Sequence, residues 1–178
     1  MNNLTTIITG ILGEKMEEIV FKNGIPKKNK LILFILFSKF LLVFPFIKII
    51  IKKYLKHCKN IYFIPGFRFF YGNIYGENIS VNDTFFVDYA PIYIGEGTTF
   101  SLENIVITSK HDYKDFNIVK AKPVYIGKNV SITSRCIILG GVRIGDNSII
   151  GAGSVVSADI PSNCFAAGNP CKVIKQLD

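Results

Sequence analysis

One histidine of the chain is a candidate catalytic base. The sequence contains two histidines, His57 and His111. His111 lies in a polar stretch, residues 108–122, that interrupts a regular repeat. An imidazole on an exposed loop accepts a proton near neutral pH because its ordinary pKa is about 6.5. The same titration is intrinsic to every histidine, so an incidental surface histidine stays an alternative. His57 lies in a lysine-rich segment, where we expect a surface or headgroup contact.

The sequence excludes several other kinds of catalytic site. Two histidines cannot supply a three-histidine zinc site on one chain. There is no G-x-S-x-G elbow, and the glycine-rich segments fit neither a P-loop nor a dinucleotide-binding fingerprint. The four cysteines show no metal or redox spacing, which indicates a reducing compartment without a disulfide framework. We therefore expect no bound metal.

Residues 126–161 read as six consecutive hexapeptides that must position any such site. A period of six indicates a solenoid of short parallel strands, because each strand points an aliphatic side chain inward and three strands complete a triangular coil. Glycine, asparagine and aspartate after the aliphatic position suit the corners. An ordinary sandwich of short strands is the alternative, and six repeats in phase argue against it. The first residues of the hexapeptides are Ile126, Ile132, Ile138, Ile144, Ile150 and Val156.

Weaker repeats precede this run. We place their starts at Tyr75, Val81 and Val87 and, after a slip of one position, at Ile94, Phe100 and Val106. The many aromatic residues between 67 and 86 are expected to cap the solenoid core. The period then stops, so residues 108–122 are predicted to project from the surface, where loops on rigid scaffolds carry chemistry.

Residues 1–60 have a different composition. Apolar residues at helical spacing predict a short helix over residues 4–20. Residues 31–51 are as long as a bilayer span but contain lysines and a proline. Three interpretations stay open for this region: a helix in the membrane interface, a helical pair that packs on the solenoid or a neighbouring subunit, and a true span. A basic amphipathic helix is predicted from the spacing of Lys48, Lys52, Lys56 and Lys59.

The net charge of +8 is concentrated in residues 22–59, which contain no acidic residue. Because the repeats are closer to neutral, an anionic membrane surface or a phosphorylated ligand explains this charge better than nucleic acid does. The N-terminus lacks the features of a signal peptide. We therefore expect a cytoplasmic protein, and the interface interpretation places residues 31–59 at the inner face of the membrane.

These features predict an all-β solenoid, a parallel β-helix of hexapeptide repeats with an N-terminal α-helical region. Residues 1–60 are expected to form the basic, apolar helical region. Residues 61–178 are expected to form the repeat domain, with the projecting loop at 108–122.

Four stretches of the repeat domain have a characteristic sequence: APIYIG (90–95), TSKH (108–111), PVYIGKNV (123–130) and GVRIGDNSIIGAGSVVSADIPSNCFAAGNPCKVI (141–174). Through them, residues 75–177 resemble the hexapeptide-repeat O-acetyltransferases, which include galactoside, maltose, nodulation and polysaccharide acetyltransferases. The resemblance implies a left-handed coil, a homotrimer with active sites in the clefts between subunits, and acetyl-CoA lying along the coils.

The resemblance also assigns roles on the acceptor side. His111 matches the general base that takes the proton of the acceptor hydroxyl during direct transfer, without a covalent intermediate. Asn82 matches the residue that binds this hydroxyl, with Asp83 as a rival for the same slot. Tyr113 is a further candidate for acceptor binding. Ser134 matches a backbone N–H that faces the thioester oxygen, which is an oxyanion-hole role.

On the donor side, Ala152 matches a backbone contact to the pantetheine arm, and Ser157 takes a place where the family often has threonine. Lys172 and Lys175 match basic residues that face the phosphates of coenzyme A.

Three departures from the family pattern point to an altered acceptor pocket and weaker affinity for coenzyme A. Ser131-Ile132-Thr133 replaces W-I-G, Ala158 replaces a common lysine, and the loop from His111 to Pro123 is short. Residues 1–60 do not match the family's helical cap. We therefore expect transfer to a sugar hydroxyl of a cell-envelope glycan or its lipid-linked precursor. Transfer to serine, an antibiotic or an amino sugar is the alternative enzyme activity, and a non-catalytic scaffold is the alternative from another class.

Overall fold

The parallel strands of the chain stack into a solenoid of about six turns. The computed structural model describes residues 18–21 and 45–177. Helix α1 spans Pro45–Tyr54. The strands are β1 (Ile19–Phe21), β2 (Cys58–Phe63), β3 (Arg68–Phe69), β4 (Ile74–Asn82), β5 (Phe85–Val87), β6 (Ile92–Ile94), β7 (Thr99–Phe100), β8 (Ile105–Ile107), β9 (Ser109–His111), β10 (Val119–Ala121), β11 (Val124–Ile126), β12 (Ser131–Ile132), β13 (Ile137–Leu139), β14 (Arg143–Ile144), β15 (Ile149–Ile150), β16 (Val155–Val156), β17 (Cys164–Ala167) and β18 (Lys172–Gln176).

The solenoid has three faces, each a parallel ladder of short strands. The first face contains the start of β4 with β6, β11 and β14, and the second contains the end of β4 with β7, β12, β15 and β17. The third face contains β3, β5, β8, β13 and β16. We call the edge between the second and third faces the donor edge (residues 82–84, 101–104, 133–136 and 151–154). The edge between the third and first faces is the hairpin edge (residues 88–91, 108–123, 140–142 and 157–159).

The core confirms the six hexapeptides. Their first residues, from Ile126 to Val156, are at most 4% exposed, and their fifth residues, from Val130 to Ile160, are at most 5% exposed. Two of the fifth residues are serines, and each donates a hydrogen bond to a backbone carbonyl: Ser148 Oγ to Pro161 O and Ser154 Oγ to Gly151 O. These bonds satisfy hydroxyl groups that are otherwise buried among aliphatic side chains.

The first coils correct part of the predicted register. Val81 is buried as predicted, but Tyr75 and Val87 are only half-buried, and Ile74 and Phe86 take the inward places. The register changes because the coil is not equally long on its different faces. Ile74 pairs with Ile92 on the first face, and Phe86 pairs with Val106 on the third face. The second pair is further apart in the sequence than the first. The ring of Tyr75 consequently packs at a tilt against that of Tyr93 outside the first face, with ring centroids 5.0 Å apart.

The predicted aromatic end of the core is confirmed for its buried members. Phe67, Phe69 and Phe86 are each at most 1% exposed, and so is Phe100, which was predicted as a repeat start. Their rings pack in sequence, with Phe67 5.9 Å from Phe86 and Phe86 5.9 Å from Phe100 between centroids. Both contacts are edge to face, an arrangement that aromatic pairs prefer.

The N-terminal predictions are partly wrong and partly outside the described residues. Most of the helix predicted over 4–20 and of the apolar stretch 31–51 lies outside them. Ile19 and Val20, the end of the predicted helix, belong to strand β1 instead. The basic helix is wrong beyond Tyr54, because Lys59 belongs to β2, which pairs with β4. In the described part of the chain, no helix is long and apolar enough to cross a bilayer.

The predicted loop is a hairpin on the hairpin edge. The coil between Ser131 and its partner Ile149 contains no insertion, whereas the coil between Thr99 and its partner Ser131 is longer. The additional residues form β9, a turn and β10, and β1 adds a third antiparallel strand on the outer side of β10. The solenoid therefore continues in register on both sides of the insertion.

Candidate active site

His111 is the last residue of β9, and its strand is anchored at the root of the hairpin. Thr108 is 2% exposed there. Its hydroxyl accepts a hydrogen bond from Ala90 N and donates one to Val87 O, both at 2.9 Å. Lys122 N donates to Thr108 O at 2.8 Å and closes the hairpin. The base candidate is thus built on the rigid coil below it.

The imidazole of His111 is held in one tautomer. Its Nδ1 lies 2.8 Å from the backbone carbonyl oxygen of Phe116. A carbonyl oxygen can only accept, so in the neutral imidazole Nδ1 carries the proton and Nε2 has the lone pair. The side chain is exposed to solvent. A neutral imidazole with an unprotonated, accessible Nε2 is the form that a general base requires.

Turns at the tip of the hairpin set the position of this carbonyl. Asp112 Oδ1 accepts from Lys114 N at 2.8 Å, and Asp115 Oδ1 accepts from Asn117 N at 2.9 Å. Aspartate side chains that accept from the backbone two positions on stabilise such turns. Lys120 Nζ lies 2.5 Å from Asp112 Oδ2. This hydrogen bond lowers the pKa of Asp112 and raises the pKa of Lys120.

Ser134 and Ala152 lie one above the other on the donor edge, since Ile132 pairs with Ile150. At the equivalent corner of the neighbouring edge, Lys128 N donates to Asp146 Oδ1 at 2.8 Å. One coil before Ser134, Leu102 N donates to Ser134 Oγ at 3.4 Å. In both cases the third residue of a hexapeptide donates to the side chain in the same place one coil on.

We call this bond, from a backbone N–H to the side chain one coil on, capping. The N–H of Ser134 is not capped. The side chain one coil on from Ser134 is the methyl group of Ala152, which cannot accept a hydrogen bond. One coil on from Ala152 lies Gly168, which has no side chain. Within the described residues, the N–H groups of Ser134 and Ala152 therefore make no hydrogen bond. Two uncapped donors in a row on a rigid corner are suited to a ligand oxygen.

Asn82 and Asp83 lie on the same donor edge, nearer the N-terminal end of the solenoid. Asn82 adopts a left-handed conformation (φ 44°), and its Nδ2 donates to Phe100 O at 2.6 Å. Asp83 Oδ1 accepts from Glu103 N at 2.7 Å. Both side chains support the corner, and which of them binds an acceptor stays a prediction.

The remaining candidates lie on the hairpin edge and at the C-terminal end of the solenoid, where Lys172 pairs with Ala167 close to the donor edge. Ser157 follows β16 on the hairpin edge and is exposed. Lys172 and Lys175 are exposed on β18, which pairs antiparallel with β17 at the C-terminal end of the solenoid. Tyr113 is 81% exposed at the tip of the hairpin.

Within one chain, the structure does not bring the base to the uncapped N–H groups. The third face separates the two edges, and its longer strands alone span about 10 Å. The Phe116 carbonyl was not predictable from the sequence, because every residue has a carbonyl group and no side-chain pattern marks this one. The aspartates at 112 and 115 were the only signal for the turn that presents it.

Comparisons with known proteins agree with this architecture. The model of the bacterial transferase hexapeptide (six repeats) matches residues 123–158. A maltose O-acetyltransferase from Clostridium difficile 630 has 40% sequence identity and a TM-score of 0.69, with 74% of each chain covered. A galactoside acetyltransferase in complex with coenzyme A has 30% identity and a TM-score of 0.71, covering 84% of this chain and 78% of that one.

Among curated proteins, the galactoside O-acetyltransferase of Escherichia coli (strain K12) is 36% identical over 115 residues. That match covers 58% of this chain and 57% of the relative, so the chain spans little more than half the length of the curated relatives it matches. On its repeats, its coil register and these similarities, the chain belongs to the hexapeptide-repeat acetyltransferase family.

Proposed function

We propose that the protein is an acetyl-CoA-dependent O-acetyltransferase with His111 as its general base. The observation that carries this proposal is the hydrogen bond from Nδ1 to Phe116 O, which leaves Nε2 free to accept a proton. Coenzyme A bound in the galactoside acetyltransferase structure supports the donor. The names of the relatives, galactoside and maltose O-acetyltransferase, support a sugar hydroxyl as the acceptor.

The reaction is a direct transfer. His111 Nε2 takes the proton of the acceptor hydroxyl while its oxygen attacks the thioester carbonyl carbon. The carbonyl oxygen becomes an oxyanion, which accepts a hydrogen bond from the uncapped Ser134 N–H. The intermediate then collapses, the carbon–sulfur bond breaks, and the thiolate of coenzyme A takes up the proton from the imidazolium.

The outer surface of the third face supports assembly of three copies. From β5 onward its outward side chains are aliphatic or aromatic and half-buried in the single chain: Phe85, Val87, Ile105, Ile107, Ile137, Leu139 and Val155. A continuous apolar face of this kind marks an interaction site. The donor edge and the hairpin edge border it on opposite sides. A trimer packed around this face would bring His111 of one copy to the Ser134 edge of the next.

In this arrangement the donor lies along the coils. We expect the pantetheine arm to accept a hydrogen bond from the Ala152 N–H and to pass Ser157 of the neighbouring copy. The ammonium groups of Lys172 and Lys175 are exposed and would face the phosphates of coenzyme A as point charges.

For the acceptor we propose a cell-envelope glycan or its lipid-linked precursor at the cytoplasmic face of the membrane. The basic, apolar composition of residues 31–59 supports contact with an anionic surface. Two exposed aromatic side chains next to the base, Tyr113 and Phe116, are suited to the apolar face of a sugar ring. Asn82 or Asp83 would bind the hydroxyl that is acetylated.

The test is release of free thiol from acetyl-CoA by the full-length protein with a panel of envelope glycans. The matched variants are His111→Ala and His57→Ala, since His57 is exposed and stacks on Tyr75 of β4, outside the hairpin. We expect His111→Ala to lower glycan-dependent release by roughly 10²–10⁴, the usual contribution of a general base, and His57→Ala to leave it unchanged.

A scaffold without activity would give no release with any acceptor and no protection by coenzyme A against thermal unfolding. Thermal protection by coenzyme A without thiol release would support the donor site but reject a glycan as the acceptor. Equal release by wild type and His111→Ala would reject His111 as the base.

A further inference from the structure

Strand β1 lies directly beside the hairpin that carries His111. It pairs with β10 in the register Ile19↔Ala121, Val20↔Lys120 and Phe21↔Val119. On the other side of β10, Val119 pairs with His111 of β9. Phe21, Val119 and His111 therefore form one row across three strands, and side chains in such a row lie on the same side of the sheet.

Beneath this row lies a small hydrophobic cluster that is separate from the solenoid core. It consists of Tyr89, Ala90, Val119 and Ala121, with Phe21 packed against it. The ring of Phe21 meets that of Tyr89 edge to face, with centroids 6.1 Å apart. The cluster therefore joins β1, β10 and the coil below the hairpin in one packed unit.

A second contact ties β1 to the root of the hairpin. Glu18 precedes β1, and its Oε1 lies 4.0 Å from Nζ of Lys122, the residue whose backbone N–H closes the hairpin. Both side chains are partly exposed, so this ion pair contributes little to stability by itself. It places the start of β1 at the point where the chain returns to the coil.

The hairpin needs such support. Its inserted residues are outside the ladders of the three faces, and an isolated two-stranded hairpin is marginally stable in water. A third strand with an aromatic anchor supplies both backbone pairing and buried apolar area. We propose that β1 is a positioning element that holds His111 in its catalytic orientation, with Phe21 as its anchor. This inference rests on the proposed role of His111.

The test compares Phe21→Ala with Val20→Ala in the full-length protein. Val20 is on the same strand, is 44% exposed and points to the other side of the sheet. We expect Phe21→Ala to lower kcat by about tenfold to a hundredfold, since small misplacement of a catalytic group has effects of this size. The KM for acetyl-CoA should not change, because the donor edge is untouched. The Phe21→Tyr variant keeps an aromatic ring and should have a kcat close to that of wild type. Val20→Ala should behave like wild type.

Two readouts do not depend on turnover. Hydrogen exchange of the amides in residues 109–121 should be at least tenfold faster in Phe21→Ala while exchange in the solenoid core stays the same. The ¹⁵N spectrum of the His111 imidazole should change from the Nδ1-protonated tautomer to a mixture of both tautomers.

The proposal is overturned if Phe21→Ala keeps wild-type exchange and tautomer, or if Val20→Ala has the same effects. It is also overturned if exchange and tautomer change but kcat does not. A wild-type protein that transfers no acetyl group would reject the proposed function alone, because exchange and tautomer still report whether β1 holds the histidine.

Discussion

Replacing Ala152 by aspartate tests the role of the Ser134 N–H on the donor edge. Ala152 lies one coil on from Ser134, in the position that Asp146 has relative to Lys128. Asp146 Oδ1 caps the Lys128 N–H at 2.8 Å. An aspartate at 152 should therefore cap the Ser134 N–H in the same way and remove it as a donor to the developing oxyanion.

The change should have opposite effects on activity and on stability. Loss of one oxyanion-hole donor costs about 10²–10³ in kcat, or roughly 2.7–4 kcal/mol of transition-state stabilisation. The new hydrogen bond should add about 1 kcal/mol to the free energy of unfolding. For a chain of this size that raises the Tm by roughly 2–4 °C. The assays are steady-state thiol release with saturating acetyl-CoA and thermal unfolding without ligand.

Two controls separate capping from other effects. Ala152→Leu adds bulk without an acceptor and should raise the KM for acetyl-CoA more than it lowers kcat. Asp146→Ala uncaps Lys128 on a different edge and should destabilise the fold by about 1 kcal/mol without changing kcat. A wild-type kcat in Ala152→Asp would refute the oxyanion role of Ser134. Equal losses of kcat in the Asp and Leu variants would show that bulk, not capping, is responsible.

Three further predictions follow from burial and charge. Ile137→Asp places a carboxylate on the apolar third face and should yield monomers in analytical ultracentrifugation, whereas Ile149→Asp on the second face should not. Ile138 is 0% exposed, so Ile138→Ala should lower the free energy of unfolding by about 2–5 kcal/mol in a denaturant titration. Burial raises the pKa of Cys58 to about 11, so this thiol stays protonated at pH 8. Ellman's reagent should label it slowly there and faster towards pH 11; labelling at pH 8 as fast as that of a free thiol would contradict the shift.

The repeat region was predictable in detail from the sequence. Every first and fifth residue between Ile126 and Ile160 points into the core, because a six-residue period and aliphatic side chains are sufficient to define the inward face of each short strand. The first coil was predicted less well. Its register depends on the offset between Ile74 and Ile92 and between Phe86 and Val106, and a period read along one stretch cannot detect that change.

The N-terminal errors have a similar cause. Lys59 has the spacing of a helical stripe, but its backbone pairs with Glu77 of β4, and the ladder outweighs a weak helical preference. Ile19 and Val20 read as the end of an amphipathic helix, yet they form a strand with Ala121 and Lys120, which are distant in the chain. Local periodicity contains no information about such partners.

The candidate site also combines features that follow from the sequence with features that depend on the tertiary structure. The sequence by itself determined which residues face the core, where the repeat is interrupted and, by resemblance, that His111 is the base candidate. Only the tertiary structure decided that Phe116 O selects its tautomer, that Ala152 leaves the Ser134 N–H uncapped and that β1 lies beside the hairpin. The inward face of a strand follows from the side chains of that strand, whereas a hydrogen-bond partner depends on which backbone lies one coil or one strand away.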